Sequence, residues 1–285
     1  MSSKAIRKVS RSDSAPVIII CPAEGWIPID LKELWDYREL LLTFISRDIK
    51  VRYKQTALGA AWAVMQPLFM MVVFTLAFGR LAKIPSDGMP YPLFSYVALL
   101  PWMLFSEGIV RSTRSMISNS HIMTKAYFPR LVLPISGVLS PTIDFLIAFV
   151  ILIGMMFYYG FVPTINVLFL PVFIVLGIAT SLGVGLWFSA LNVQYRDFQY
   201  MVPFLVQLWL FASPVVYPSS LLPEPYNLLF GLNPMAGVIE GFRWAMLGTA
   251  PPSILTLVSI LMVLIILVSG AFYFRRMEKI FADVV

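Results

Sequence analysis

RDIKVRYKQTALGAAWAVMQP, residues Arg47 to Pro67, decides how this chain must fold. Four cations, Arg47, Lys50, Arg52 and Lys54, fall within eight residues, with Asp48 the single acid among them. From Gly59 to Gly79 the chain carries no formal charge, and Gln66 is its one side-chain amide. A charged ramp feeding about 20 apolar residues predicts an interfacial helix that leads into a transmembrane helix from the cytoplasmic side.

Composition agrees. Hydrophobic residues make up 59% of the 285 and charged residues 13%, with a mean hydropathy of +0.83. A soluble surface needs more charge than this, so an all-α polytopic membrane protein is expected. Cys21 and His121 are the only residues of their kinds, which excludes disulfide frameworks and His/Cys metal clusters. Neither a GxxxxGK[ST] phosphate loop nor a Gly-x-Ser-x-Gly elbow occurs. Hence no catalytic residue, metal site or cofactor site is expected, and any nucleotide hydrolysis belongs to another chain. The net charge of +6 does not suggest nucleic acid. The basic residues cluster at the ends of apolar runs, where membrane lipids or an acidic partner would meet them.

Outward from Arg47, residues 1–30 mix Ser, Lys, Arg and Pro without periodicity and lack a signal-peptide core, which suggests a mobile cytoplasmic tail. Residues 31–58 read as the amphipathic interface helix, started by Asp30 and Glu33. Its apolar residues Leu34, Leu41, Leu42, Ile45 and Ile49 recur at spacings of three and four. A soluble amphipathic helix shows the same pattern, but the chain offers no soluble domain for one to pack on. Residues 59–274 form the expected six-span domain, with runs near Ala60–Gly79, Leu93–Val110, Leu131–Tyr159, Ile165–Leu191, Phe198–Tyr217 and Ile254–Phe274. Residues 275–285 form a second tail. Eighteen of the 21 Lys and Arg residues fall in the N-terminal region, the second-to-third and fourth-to-fifth connections and the C-terminal tail. That bias predicts that both termini are cytoplasmic. Between the fifth and sixth runs, 218–253 is rich in Pro yet apolar between the prolines. It is too broken for a span and too apolar for a solvated loop, so re-entrant helices are expected.

Two acids interrupt the apolar runs. Glu107 has Arg111 four residues on, which favours a simple i,i+4 pair. Asp144 reads equally as a pathway group or as an interhelical partner. The aromatic residues Trp62, Phe69, Trp102, Phe105, Trp187, Trp209 and Tyr217 suit either interfacial belts or a conduit whose ring faces stack on sugars. Two short polar connections, 115–130 and 192–200, suit either docking on a partner or plain turn chemistry.

RDIKVRYKQTALGAAWAVMQPL resembles the segment that leads into the membrane in permease subunits of bacterial ATP-binding-cassette exporters of polysaccharides. That group exports O-antigen, capsular polysaccharide and teichoic acid. Leu100–Ile109 (LPWMLFSEGI), Asn119–Ile135 (NSHIMTKAYFPRLVLPI), Asn192–Phe204 (NVQYRDFQYMVPF), Ser213–Pro218 (SPVVYP) and Asn233–Arg243 (NPMAGVIEGFR) follow in the same order. The similarity runs from about Leu31 to the end. It implies a homodimer in the bacterial inner membrane, driven by two copies of a separate ATPase subunit that holds ATP and Mg. Asn119, Ser120, His121 and Lys125 would form a coupling helix seated on that ATPase, and Tyr195, Arg196 and Asp197 a second contact. Arg47, Lys50, Arg52 and Lys54 would sit on an interfacial gate and attract the pyrophosphate of an undecaprenyl-linked glycan.

Other readings compete with a polysaccharide exporter. The same scaffold suits an exporter of drugs or small lipids, which needs a small closed cavity instead of a wide aromatic path. A membrane transferase needs convergent acids or a histidine, and Glu107, Asp144 and His121 form no recognisable set. An ion-coupled carrier needs an essential intramembrane acid, for which Asp144 is the candidate.

Overall fold

The computed structural model describes residues 31–54, 59, 61–221, 223 and 230–284, and every regular element among them is helical. The expected tail over 1–30 lies outside these residues, as do 55–58 of the expected interface helix and 224–229 of the expected re-entrant segment.

The charged ramp forms two helices, α1 (Leu31–Asp36) and α2 (Arg38–Lys54). The first apolar run is α3 (Ala61–Phe74), widening into a π-helical turn at Thr75–Leu81. α4 (Tyr91–Ser118) follows, then the four-residue α5 (Ser120–Met123). The third run is one expected span but two helices, α6 (Val132–Leu139) and α7 (Thr142–Tyr158). Pro141 stands between them: it has no N–H to donate, and its ring crowds the preceding turn. A 3₁₀ turn at Ile165–Phe169 leads into α8 (Leu170–Gln194). α9 (Phe198–Phe211), α10 (Pro234–Leu247) and α11 (Ile254–Val284) complete the described chain.

Among the described residues five helical stretches are long and apolar enough to cross a membrane: Ala61–Leu81, Tyr91–Ser118, Val132–Tyr158, Ile165–Gln194 and Ile254–Glu278. The fifth apolar run differs. Its helix, α9, has 14 residues, about 21 Å at 1.5 Å per residue, and the chain then leaves helical geometry short of a hydrocarbon core of about 30 Å. Within the expected re-entrant segment, α10 is the one regular α-helix among the described residues. Its start is written in the sequence. The Asn233 side-chain oxygen accepts the Met235 amide at 3.0 Å, and Pro234 takes the first helical position, where no N–H is needed. Its end is equally local, at Gly248, whose φ of 66° is cheap only for glycine.

α4 is the axis of the bundle. Of its most apolar window 78% is buried, against 11% for α3 with its π turn and 22% for α11, so those two form the periphery. α8 packs closely along both α4 and α11, because small residues let the backbones approach. A Cβ on Gly183 would lie 2.7 Å from the Leu267 amide nitrogen of α11, and one on Gly270 would strike the Gly183 carbonyl. On the α4 side, a Cβ on Gly185 would lie 2.7 Å from the Ser112 hydroxyl oxygen, and one on Gly137 of α6 would lie 2.9 Å from the Ser112 amide nitrogen.

Both ends of the described chain meet at one end of the bundle. Phe44 of α2, Met116 of α4, Phe128, and Phe274 and Phe281 of α11 pack into one buried cluster. Arg130 Nη1 donates to the Glu278 carbonyl at 2.5 Å in the same region. An even number of crossings therefore separates α2 from the end of α11.

Replacing Gly183 by Val should push α11 away from α8 and cost about 1–3 kcal/mol or more, as overpacking does. A lowered melting temperature of the detergent-solubilised chain, with Gly183→Ala less affected, is the expected result.

Candidate functional site

The last turn of α2 carries the organising contacts. Arg52 pairs with one carboxylate oxygen of Asp144, and the Tyr53 hydroxyl donates to the other. The break at Pro141 places Asp144 in the first turn of α7. There the exposed N–H groups of a helix start favour a negative charge. Glu107 of α4 lies beside this pair. Its Oε2 is 3.6 Å from Arg52 Nη2 and 3.3 Å from Arg111 Nε. The expected i,i+4 pair thus exists, but the same carboxylate oxygen also faces a cation from another helix.

Above these charges opens a cavity of about 560 Å³, lined by α3, α4 and α7. Its wall is apolar, formed by Trp62, Pro67, Leu100, Met103, Leu104 and Phe145 among others. Its floor is charged and polar, formed by Arg52, Tyr53, Gln66, Glu107, Arg111 and Asp144. A charged floor under an apolar wall fits an amphiphile with an anionic head and a hydrocarbon tail.

The four gate cations divide in two. Arg52 serves the cavity, whereas Arg47 points to the neighbouring connection: its Nη1 donates to the Asn119 side-chain oxygen at 2.7 Å, and it also pairs with Asp48. Lys50 and Lys54 are exposed. Asn119 is buried at the junction of α4 and α5, and its Nδ2 donates to the Ser115 carbonyl at 2.7 Å. One hydrogen bond therefore joins α2 to the start of α5. Ser120 is half-buried, while His121 and Lys125 are exposed on and after α5. Tyr195, Arg196 and Asp197 are exposed in the turn from α8 to α9. Arg114 Nη2 reaches the Gln199 carbonyl at 3.2 Å, which ties that turn to the same end of α4.

The aromatic candidates separate by environment. Trp62 lines the cavity, and Phe69 is exposed on α3. Trp102 and Phe105 are buried, and Phe105 meets Trp209 edge-on at 5.1 Å. Trp187 stacks on Tyr273 at 4.1 Å and donates to Ser269. Tyr217 donates to the Phe211 carbonyl. These seven do not form one continuous surface within this chain.

Sequence reading missed Tyr53, Gln66 and the bridging position of Glu107. It also missed the polar stitching of the opposite end. There Asn233 Nδ2 donates to the Ala212 carbonyl and the Ser213 hydroxyl, and its Oδ1 accepts from Trp209. Arg243 is buried, donates to the Val215 carbonyl at 2.9 Å and lies 3.6 Å over the Phe94 ring. The Asn233-Pro234 dipeptide signalled a helix start; nothing local signalled the partners of Arg243. Among the described residues no group of three His, Cys, Asp or Glu side chains could hold a metal ion.

A helical, multi-pass membrane protein with an amphiphilic cavity at its charged end is the class defined by this geometry. Residues 39–247 match the ABC-2 type transporter family, and the chain belongs to it. It is 31% identical over 256 residues to the O-antigen export system permease protein RfbA of Myxococcus xanthus, covering 87% of this chain and 96% of that one. RfbA of Klebsiella pneumoniae is 30% identical over 72% of this chain and 79% of its own length. The polysialic acid transport protein KpsM of Escherichia coli is 24% identical over 70% and 78% respectively.

Arg52 and Asp144 are half-buried, between the exposed and fully buried extremes. A double-mutant cycle on Arg52→Ala and Asp144→Ala should return a coupling of about 1–2 kcal/mol, measured as thermal stability in detergent. Additive losses would remove the pair as the anchor of α2.

Proposed function

We propose that this chain is the membrane permease subunit of an ATP-driven polysaccharide exporter. It moves a lipid-linked, O-antigen-like glycan from the cytoplasm across the bacterial inner membrane. The observation that carries the reading is the cavity beside α2, whose arginine-bearing floor and apolar wall suit the phosphate head and hydrocarbon tail of a lipid carrier. Similarity to export permeases along most of the chain supports the glycan as cargo.

On this reading residues 59–274 cross the membrane six times, α9 and the 212–218 turn together serving as the fifth crossing, and both termini are cytoplasmic. Two copies of the chain form the pore, and two copies of a separate ATPase subunit bind ATP and Mg. α5, with Asn119, Ser120, His121 and Lys125, docks on one ATPase, and Tyr195, Arg196 and Asp197 make a second contact. Closure of the ATPase pair displaces α5, and the Arg47–Asn119 hydrogen bond carries that displacement to α2. α2 bears Arg52, so the same movement changes the floor of the cavity. The undecaprenyl diphosphate head is held there by Arg52 and Arg111, with Lys50 and Lys54 drawing it in from the interface. Trp102, Phe105 and Trp209 are packed together in this state, so a sugar conduit through them requires that the packing part during transport.

Two measurements test this. The chain co-expressed with an ATP-binding-cassette ATPase encoded beside it should purify as a complex whose ATP hydrolysis responds to undecaprenyl-linked glycan. No association rejects the exporter reading, and a complex indifferent to glycan but responsive to small amphiphiles shifts the cargo to the alternative class. In the same complex, Asn119→Ala and Arg47→Ala should keep assembly but lower glycan-responsive hydrolysis by roughly tenfold, the scale of one lost charge-assisted hydrogen bond. Unchanged response in both variants would remove this contact from the coupling route.

A further inference from the structure

Within the cavity the two guanidinium groups are already opposed by two carboxylates, Arg52 and Arg111 against Glu107 and Asp144. The two acids are held differently. Asp144 is engaged through both oxygens, by Arg52 and by Tyr53. Glu107 is looser: its side chain is 39% exposed, and a single oxygen, Oε2, lies between Arg52 at 3.6 Å and Arg111 at 3.3 Å. That oxygen marks a point flanked by cations from two helices, α2 and α4. It is where a phosphoryl oxygen bridging both arginines would sit.

We propose that Glu107 is a specificity-determining residue: a built-in counter-anion that occupies the anion position between Arg52 and Arg111 and is displaced only by a multiply charged lipid head. The inference rests on reading the cavity as the lipid-carrier site. Glu107 and Asp144 leave the arginines no net unmatched charge toward the cavity. A phospholipid with one negative charge would only exchange one monoanion for another between the two arginines. That exchange gains nothing electrostatically, and the arriving headgroup gives up its hydration to make it. A diphosphate brings at least two charges and several acceptor oxygens, so it engages both guanidinium forks at once. Its surplus charge outweighs the loss of Glu107, whose half-exposed side chain can turn toward water. Asp144 stays in place and keeps Arg52 aimed at the site. Anionic phospholipids surround any such cavity in large excess, so discrimination has to come from repulsion of the wrong ligand as well as attraction of the right one.

The test is native mass spectrometry of the full chain, titrated with farnesyl diphosphate, farnesyl monophosphate and phosphatidylglycerol. Wild type should prefer farnesyl diphosphate over phosphatidylglycerol by about tenfold or more, with the monophosphate between them. Arg111→Ala should weaken diphosphate binding, which locates it in the cavity. Glu107→Gln should narrow the diphosphate preference to about threefold or less, chiefly by gaining phosphatidylglycerol, while Glu107→Asp should retain it. If Glu107→Gln keeps the wild-type ratio while Arg111→Ala lowers diphosphate binding, the counter-anion role is overturned and the cavity reading stands. If wild type binds the diphosphate no tighter than phosphatidylglycerol, or Arg111→Ala has no effect, both fall. Should Glu107→Gln not fold, loss of the diphosphate preference in Glu107→Asp, which keeps the carboxylate, would by itself overturn the proposal.

Discussion

Everything in this fold depends on one constraint: a charge or backbone polar group set in hydrocarbon must find its partner inside the protein. Continuous helices meet it automatically; this chain is interrupted in several places and meets it there with side chains. After α9 the backbone runs non-helically through 212–218, and its carbonyls are collected one by one. Asn233 takes that of Ala212, Arg243 that of Val215 and Tyr91 that of Val216. Ser259 of α11 takes those of Gly231 and Asn233. The donors to 212–218 come from α4 and α10, so the broken segment draws those two helices together, and Ser259 ties α11 to the approach to α10. At the opposite end Arg52 and Asp144 obey the same rule, and their pairing fixes where α2 lies against α7.

Small residues and polar anchors divide the work. Along α8 Gly183 lets α11 approach at backbone distance and Gly185 seats the Ser112 side chain of α4, contact that depends on shape and dispersion and resists sliding. α2 and α3 have no such contacts. α3 is the least buried of the membrane-capable stretches, and α2 is held by Phe44 and by side-chain bonds through Arg47, Arg52 and Tyr53. The gate proposed above needs a moving part that breaks few contacts, and α2 and α3 are each held more lightly than α4, α8 and α11 are held to one another.

The sequence made the architecture legible where the physics is local. Charge density against apolar length located the charged helix α2 and the apolar runs, because desolvation depends on composition and does not need partners. Asn233-Pro234 and Gly248 marked the ends of α10, since caps are set within a few residues. Partners distant in sequence were hidden. Nothing near Asp144 announces Arg52, 92 positions earlier, and nothing near Asn119 announces Arg47. Hydropathy does not register the break at Pro141, so the place of Asp144 in the first turn of a helix was hidden as well. In the fifth run the helix stops at Phe211, whereas Ala212 to Tyr217 are uncharged and continue the run in the sequence with a backbone that is not helical.

The site itself was half legible. Its cations stood out as a cluster, but a cluster does not say which members are engaged. Arg47 and Arg52, five residues apart, point to different tasks, one to Asn119 at the start of α5 and the other to the cavity. At 1.5 Å per residue they lie about 7.5 Å apart on one short helix. A rigid helix of that length cannot move at one point and stay fixed at the other. Any displacement of α5 that is followed by Arg47 must therefore shift or strain the Arg52–Asp144 pair. The proposed coupling between α5 and the cavity floor needs no long relay through the membrane, because both contacts belong to α2.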